Sequence, residues 1–185
     1  MGSTLTVDNI VGATTAANVK LPAGHVVQVQ SVTKTDTQSI SGTTATDVLT
    51  VTISPKFASS KIYVKCDLNF TSRNGSTNTL GERYAYAKLF RDTTQIALGD
   101  AAGSRQQVWF ACNTVNATND SFRMSQSSGS FYDSPATTSA ITYKVKCATT
   151  NTSTNVTVIN QSGPDADAAY SHRGASTLTV MEIAQ

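Results

Sequence analysis

The chain has 185 residues, of which 39% are apolar and only 14% charged, and its formal net charge is +2. This length predicts one domain with a core of its own, and the charged fraction lies well below the ~25% of ordinary soluble domains. No run of Lys or Arg occurs, which argues against nucleic acid as a partner. No stretch approaches the ~20 apolar residues of a membrane span, and the polar opening predicts no secretory leader.

Residues 1–23 differ in character from the rest of the chain. They are polar and rich in Ala and Thr, and Pro22 and Gly24 mark their boundary. Their apolar side chains are too few for a separate core. We predict that this segment is extended and attaches the domain of residues 24–185 to another protein. The candidates for the anchoring contacts are Leu5, Val7, Ile10 and Val11.

From residue 24 onward, apolar and β-branched residues alternate with polar ones, and Thr and Ser fill 50 of the 185 positions. This alternation is typical of half-buried strands. About ten strands are predicted, near residues 25–33, 46–53, 60–70, 83–91, 95–98, 106–113, 121–126, 141–148, 154–160 and 176–184. Short strands separated by turn signals indicate an all-β fold of antiparallel strands, either a β-sandwich or a barrel. The last strand is expected inside a sheet.

The sequence contains no arrangement of residues typical of an enzyme. Its two histidines accompany no nucleophile elbow, metal-binding helix or phosphate loop. Asp133, Asp165 and Asp167 are the carboxylates that long loops would have to bring together for glycan cleavage. Asp165 and Asp167 also allow a cation site, although a solvated turn is the simpler interpretation. We therefore predict a protein that is not an enzyme and has no cofactor and no metal.

The three cysteines have no metal-type spacing. Cys66, Cys112 and Cys147 each share the phase of the apolar residues in their strands. We interpret them as buried free thiols that behave as small apolar side chains. A disulfide between Cys66 and Cys147 is the alternative.

Three aromatic residues are candidates for an interface with another protein chain. Tyr84 and Tyr86 lie on one face of their predicted strand, opposite two alanines and a leucine. If the small residues pack in the core, the tyrosines are exposed and mark an interface. The reverse arrangement, with the tyrosines in the core, stays open. Trp109 is out of phase with the apolar residues around it, so it is predicted to point away from the core.

The connections between the predicted strands differ in length in a regular way. If successive strands run antiparallel, connections alternate between the two ends of the sandwich. The long ones then fall at one end, and the short ones and both termini at the other. Because long loops are uncommon unless they are functional, the loops near 71–82, 127–140 and 161–175 are predicted to form a receptor-binding end. The candidates for receptor contacts are Arg73, Asn74, Tyr132, His172 and Arg173.

Four short segments in order, residues 3–10, 26–32, 54–62 and 174–184, resemble virion fibre proteins of tailed bacteriophages, especially short-tailed aquatic ones. The resemblance implies a homotrimer with a jelly-roll head, assembled in the host cytoplasm and acting outside the cell as part of the virion. It implies other virion proteins as partners of the N-terminal segment, and a host surface glycan or protein as receptor. A purely structural role, as a capsid or neck fibre or a cement (decoration) protein, is the alternative.

Overall fold

The computed structural model describes residues 22–74, 83–114, 124–150, 155–163 and 165–185. The anchoring candidates Leu5, Val7, Ile10 and Val11 lie outside these ranges. The described residues form eleven strands and no helix, so they include no helix that could cross a membrane. The strands are β1 (Val26–Lys34), β2 (Gln38–Ser41), β3 (Thr46–Ile53), β4 (Lys61–Asn74), β5 (Arg83–Arg91), β6 (Thr94–Ile96), β7 (Phe110–Thr114), β8 (Ser125–Asp133), β9 (Ile141–Thr149), β10 (Asn155–Ile159) and β11 (Ser176–Ile183).

Six of these strands form one sheet, called sheet A. Strand β8 pairs antiparallel with residues 62–70 of β4 along one edge. On the other side of β4, β11 pairs with residues 61–67 and β10 pairs with residues 70–74. These two strands therefore lie end to end and share one strand position. Strands β1 and β2 follow one another in the same way beside β11 and β10. Sheet A therefore has four strand positions in the order β1/β2, β10/β11, β4, β8.

The other five strands form sheet B, whose order is β3, β9, β5 and then β6/β7. Strand β9 pairs with residues 85–91 of β5, and β6 and β7 share the opposite edge of β5. Two antiparallel sheets of four strand positions each, connected in this order, form a jelly roll. The predicted all-β sandwich of jelly-roll type is confirmed. Strand β11 lies inside sheet A, as expected.

The core lies between the inner faces of the two sheets. Along β4 every second side chain is fully buried, in the series Ile62, Val64, Cys66, Leu68 and Phe70. The three cysteines are free and buried, as the sequence predicted. Burial raises the pKa of the Cys66 thiol to about 12, so it remains protonated and inert.

The two ends of the sandwich differ in what they carry. The Gly24 amide donates a hydrogen bond to the Ala184 carbonyl at 2.8 Å, so both described termini lie at one end, called the proximal end. The strand directions place the connections 54–60, 92–93 and 134–140 at this end. The connection 42–45 lies at the opposite, distal end, where β4 also finishes and β5 starts.

The prediction that the long loops share one end is wrong. Strands β6 and β7 lie end to end in one strand position, and so do β10 and β11. Each pair is connected by a long excursion, residues 97–109 and residues 160–175, that leaves the sheet partway along its length. If the excursion 97–109 is treated as a turn between neighbouring antiparallel strands, every later loop is assigned to the wrong end of the sandwich. Of the predicted loop 127–140, only residues 134–140 form a loop, and they lie at the same end as residue 24 and Gln185.

Strand β8 and the short strand β2 were not predicted at these positions. The stretch Ser125–Ser130 has no alternating apolar residues, and it forms a strand because β4 offers it an edge to pair with. Gly129 faces inward there, and a Cβ atom on it would lie 2.7 Å from Cε1 of Phe110. The glycine thus marks a close approach between β8 and the aromatic side chain of β7.

Asn160 holds the base of the 160–175 excursion. It is fully buried with φ at +59°, a left-handed conformation in which Asn is enriched. Its side-chain amide donates to the carbonyls of Lys34 and Asp36, at 2.8 and 3.1 Å, and its side-chain oxygen accepts from Ser176 Oγ at 2.6 Å. One side chain thereby joins the β1–β2 junction to the start of β11.

Two buried carboxylates stabilise the proximal end. Asp133 of sheet A accepts hydrogen bonds from Arg91 and from the Tyr143 hydroxyl of sheet B, the latter at 2.7 Å. Glu182, which is fully buried, accepts from the backbone amides of Lys56 and Phe57. The first carboxylate links the two sheets, and the second fixes the connection 54–60.

Candidate functional site

The tyrosine candidates for the trimer interface lie on the outer face of sheet B. Ala85 and Ala87 are buried in the core, which excludes the arrangement with the tyrosines inside the sandwich. Tyr84 is exposed, at 46% of its maximal area, but Tyr86 retains only 5%. The Tyr86 hydroxyl donates to the Thr43 carbonyl at 3.1 Å, because the connection 42–45 lies against the same face.

Trp109 packs against the core rather than pointing away from it. Its ring stacks on Phe110 with centroids 4.5 Å apart and planes 17° apart. The prediction that Trp109 points away from the core was wrong because β7 begins only at Phe110. Trp109 ends the 97–109 excursion, where strand alternation does not apply.

The five receptor candidates do not come together. Arg73 and Asn74 end β4 at the distal end, whereas Tyr132 lies on β8 opposite Tyr63. Positions 63 and 73 are about 33 Å apart along an extended strand. His172 and Arg173 are exposed at the base of the 160–175 excursion, where Arg173 pairs with Asp165.

The carboxylates singled out from the sequence are also apart. Asp133 is buried between the sheets and bound by Arg91, whereas Asp165 and Asp167 lie on the exposed excursion. Within the described ranges, no group of three or more His, Cys, Asp or Glu side chains is arranged to hold a metal ion.

An apolar row crosses the outer face of sheet A in register. Val29 pairs with Met181, Met181 with Tyr63, and Tyr63 with Tyr132. Val29 and Tyr132 are 49% and 60% exposed, and the two tyrosine rings lie 4.9 Å apart. These four residues are called the apolar row. They lie in the proximal half of the sheet, near both described termini.

On its distal side, the apolar row is bordered by a polar surface. The next rows toward the distal end carry the hydroxyls of Ser31, Thr179, Thr33 and Thr177, which bond to each other across the strands. The Lys65 ammonium bonds to Asp67 at 2.5 Å and lowers the pKa of that carboxyl. Toward the distal end this face therefore presents hydroxyl groups and an internal ion pair, whereas Lys61, on the proximal side of the row, is exposed.

A groove on the outer face of sheet B surrounds Tyr86. One part, of about 390 Å³, is lined by Tyr84, Tyr86, Gln106 and Val108. A neighbouring part, of about 500 Å³, adds Lys88, together with Thr43 and Ser104. Together they are called the Tyr86 groove. The excursion 97–109 forms one wall of the groove. The Gln95 side chain donates to the Gln107 carbonyl, and the Gln107 side chain donates to the Gly99 carbonyl.

Positive charge predominates beside this groove. Lys88 lies directly opposite Lys146 in the β5–β9 pairing, and Lys144 lies two residues further along β9. Asp47 of β3 bonds to Lys146 at 2.8 Å and lies 3.8 Å from Lys144. Lys88 instead lies 5.2 Å above the centre of the Tyr86 ring, and its ammonium bonds to the neutral amide oxygen of Gln106.

The sequence did carry a signal for the apolar row. Tyr63 alternates with the buried Ile62 and Val64, and Met181 with the buried Val180. These are the same out-of-phase positions that singled out Tyr84, and applying that criterion to β4 and β11 would have found both residues. No local pattern predicted the Tyr86 groove, because its walls come from segments far apart in the sequence.

No protein-family model and no curated protein matches this chain. Among solved structures, it is similar to a chain of T=1 particles derived from infectious bursal virus, with 13% identity and a TM-score of 0.41. The match covers 85% of this chain and 36% of that one, so the chain spans about a third of that protein's length.

Proposed function

We propose that this chain is a structural component of a virus particle and acts as a self-assembling jelly-roll subunit, not as an enzyme. The observation that carries the proposal is the apolar row on the outer face of sheet A. A band of Val, Met and two Tyr side chains that crosses four strand positions is typical of a protein interface. The hydroxyl-rich surface on its distal side holds the internal Lys65–Asp67 ion pair, so this part of the face adds little charge repulsion between two copies.

The phage-fibre resemblance suggests a more specific form of this role. In that form the chain is the homotrimeric head of a fibre, and residues 1–23 attach it to other virion proteins. The apolar row supports this arrangement because it lies at the end where residue 22 enters the domain and Gln185 leaves it. Assembly contacts and the attachment segment would then share one end of the molecule.

Attachment to a host surface is the second candidate function. Contact through the long loops is not supported, because those loops are distributed over both ends and the middle of sheet A. The Tyr86 groove favours attachment instead, since it lies beside the start of β5 at the distal end, away from both described termini. A receptor held there would not compete with assembly at the apolar row.

Sedimentation of the full chain tests the assembly role. We expect a trimer at micromolar concentration. The double substitution Tyr132→Ser with Val29→Ser is expected to raise the dissociation constant at least about tenfold, because tyrosines at an interface centre often carry its binding energy. Tyr84→Ser is the matched control, since Tyr84 is similarly exposed on the other sheet. A wild-type monomer, or dissociation caused by Tyr84→Ser alone, would overturn the proposed surface.

A further inference from the structure

We propose that the Tyr86 groove binds a saccharide chain bearing carboxylate groups. This inference deepens the attachment role and rests on it. It concerns sheet B alone, so it is independent of the apolar row on sheet A. Three features of the groove support it: its lining, the two lysines that face each other beside it, and its position at the distal end.

The lining combines an apolar floor with polar groups at its rim. Tyr84 and Tyr86 present aromatic surface, and Val108 extends it. Gln106 and Thr150 line both parts of the groove and supply amide and hydroxyl groups. A small number of polar groups around aromatic surface is the usual composition of a small-ligand site. Sugars present both C–H faces and hydroxyl edges, so they match both kinds of surface.

The electrostatics select an acidic sugar over a neutral one. Lys88 and Lys146 face each other across β5 and β9, and like charges directly opposite in a sheet destabilise it. Among the described residues, Asp47 pairs with Lys146 and Lys144, whereas the Lys88 ammonium forms no ion pair and bonds to the neutral Gln106 amide. A ligand carboxylate beside Lys88 would relieve this repulsion and replace the weak bond from Lys88 to the neutral Gln106 amide.

The fold fixes the groove before any ligand arrives. The Tyr86 hydroxyl is bonded to the Thr43 carbonyl, and the Trp109 amide donates to the Ala87 carbonyl at 2.9 Å, which fastens the end of the excursion to β5. A site formed in advance loses little conformational entropy on binding. Three copies of a weak site on one particle would add avidity.

Calorimetric titration of the full chain tests the inference with three probes: hexagalacturonate, an oligosialate, and neutral maltohexaose. We expect at least one acidic probe to bind, with an affinity that falls as salt is added, and maltohexaose to bind at least about tenfold more weakly. Tyr84→Ala should weaken acidic binding about tenfold or more. Lys88→Gln should remove the preference for acidic over neutral sugar. Tyr170→Ala and Lys56→Gln, which alter exposed residues elsewhere, are the matched controls.

Three results would overturn the inference. These are binding of neither acidic probe, binding that Tyr84→Ala and Lys88→Gln leave unchanged, and equal loss in the two control variants. Sedimentation of the same samples keeps the proposals apart. A trimer that binds no acidic sugar contradicts the groove alone, whereas a monomer that binds it contradicts the apolar row alone.

Discussion

Replacing Asp133 by alanine is expected to lower the free energy of unfolding by about 3 kcal/mol, the scale found when one partner of a buried ion pair is removed. Asp133 retains 6% of its exposed area and accepts two hydrogen bonds from Arg91 Nη1, at 2.8 and 3.0 Å. Burial, reinforced by the bond to Asp133, raises the pKa of Tyr143, so its hydroxyl remains a donor. The substitution leaves the Tyr143 hydroxyl and the partly buried Arg91 guanidinium without this acceptor.

Urea unfolding at fixed protein concentration measures this effect, because assembly also contributes to apparent stability. Asp47→Ala is the matched control, since it removes a carboxylate from an exposed pair with Lys146. Exposed pairs contribute about 0–1 kcal/mol, so the control should change stability little. Equal losses in Asp133→Ala and Asp47→Ala would show that the link between the sheets does not stabilise the fold.

Replacing Glu182 by glutamine is expected to cost about 2–3 kcal/mol at neutral pH, the scale for an unsatisfied buried hydrogen-bonding group. The carboxylate accepts from the Lys56 amide at 2.8 and 2.9 Å and from the Phe57 amide at 3.1 Å. Gln28 donates to it as well, at 2.7 Å. A glutamine amide group would direct N–H groups toward these donors.

The same substitution is expected to change the pH dependence of stability. Burial by itself raises the pKa of Glu182, but the hydrogen bonds from Lys56, Gln28 and Phe57 outweigh it and hold the pKa below its usual range. A carboxylate of this kind stabilises the fold above its unfolded pKa, about 4.3. That stabilisation is lost as the pH falls through the lower folded pKa.

Unfolding measured from pH 7 downward tests this expectation. The difference in stability between the wild type and Glu182→Gln should be largest at pH 7 and should shrink as the pH falls below about 4.3. Asp47→Asn serves as the control for general acid effects. A difference that stays constant across this range would contradict the role given to the Glu182 carboxylate.

Regular alternation allowed most strands to be predicted from sequence. The series from Ile62 to Phe70 and the alternation around β9 predicted their strands correctly, because one buried face imposes a period of two. Strand β8 lacks that pattern in its Ser-rich half, so only its pairing partner decides its conformation. The buried Glu182 did leave a signal, since it shares the phase of Leu178 and Val180.

The arrangement of the surfaces was harder to predict. Tyr86 has the sequence pattern of an exposed residue, yet it is buried because residues 42–45 and 97–109 lie against the same face. The prediction that the long loops share one end was wrong because two strand positions are each divided into two collinear strands. Local sequence does not distinguish the excursion between such strands from a turn. A surface such as the Tyr86 groove, which is assembled from distant segments, cannot be predicted without knowing how the strands are arranged.

The central claim is that two copies meet through the outer face of sheet A, and spin labelling tests it most directly. The native thiols are buried, and burial raises the pKa of all three, so an introduced surface cysteine is labelled selectively. Ser130→Cys places a label on β8 beside the apolar row, and Thr52→Cys places one on the outer face of sheet B. Dipolar spectroscopy should find a short distance between protomers for the Ser130→Cys label, lost on dilution with unlabelled chain. A short distance for Thr52→Cys and none for Ser130→Cys would contradict the account.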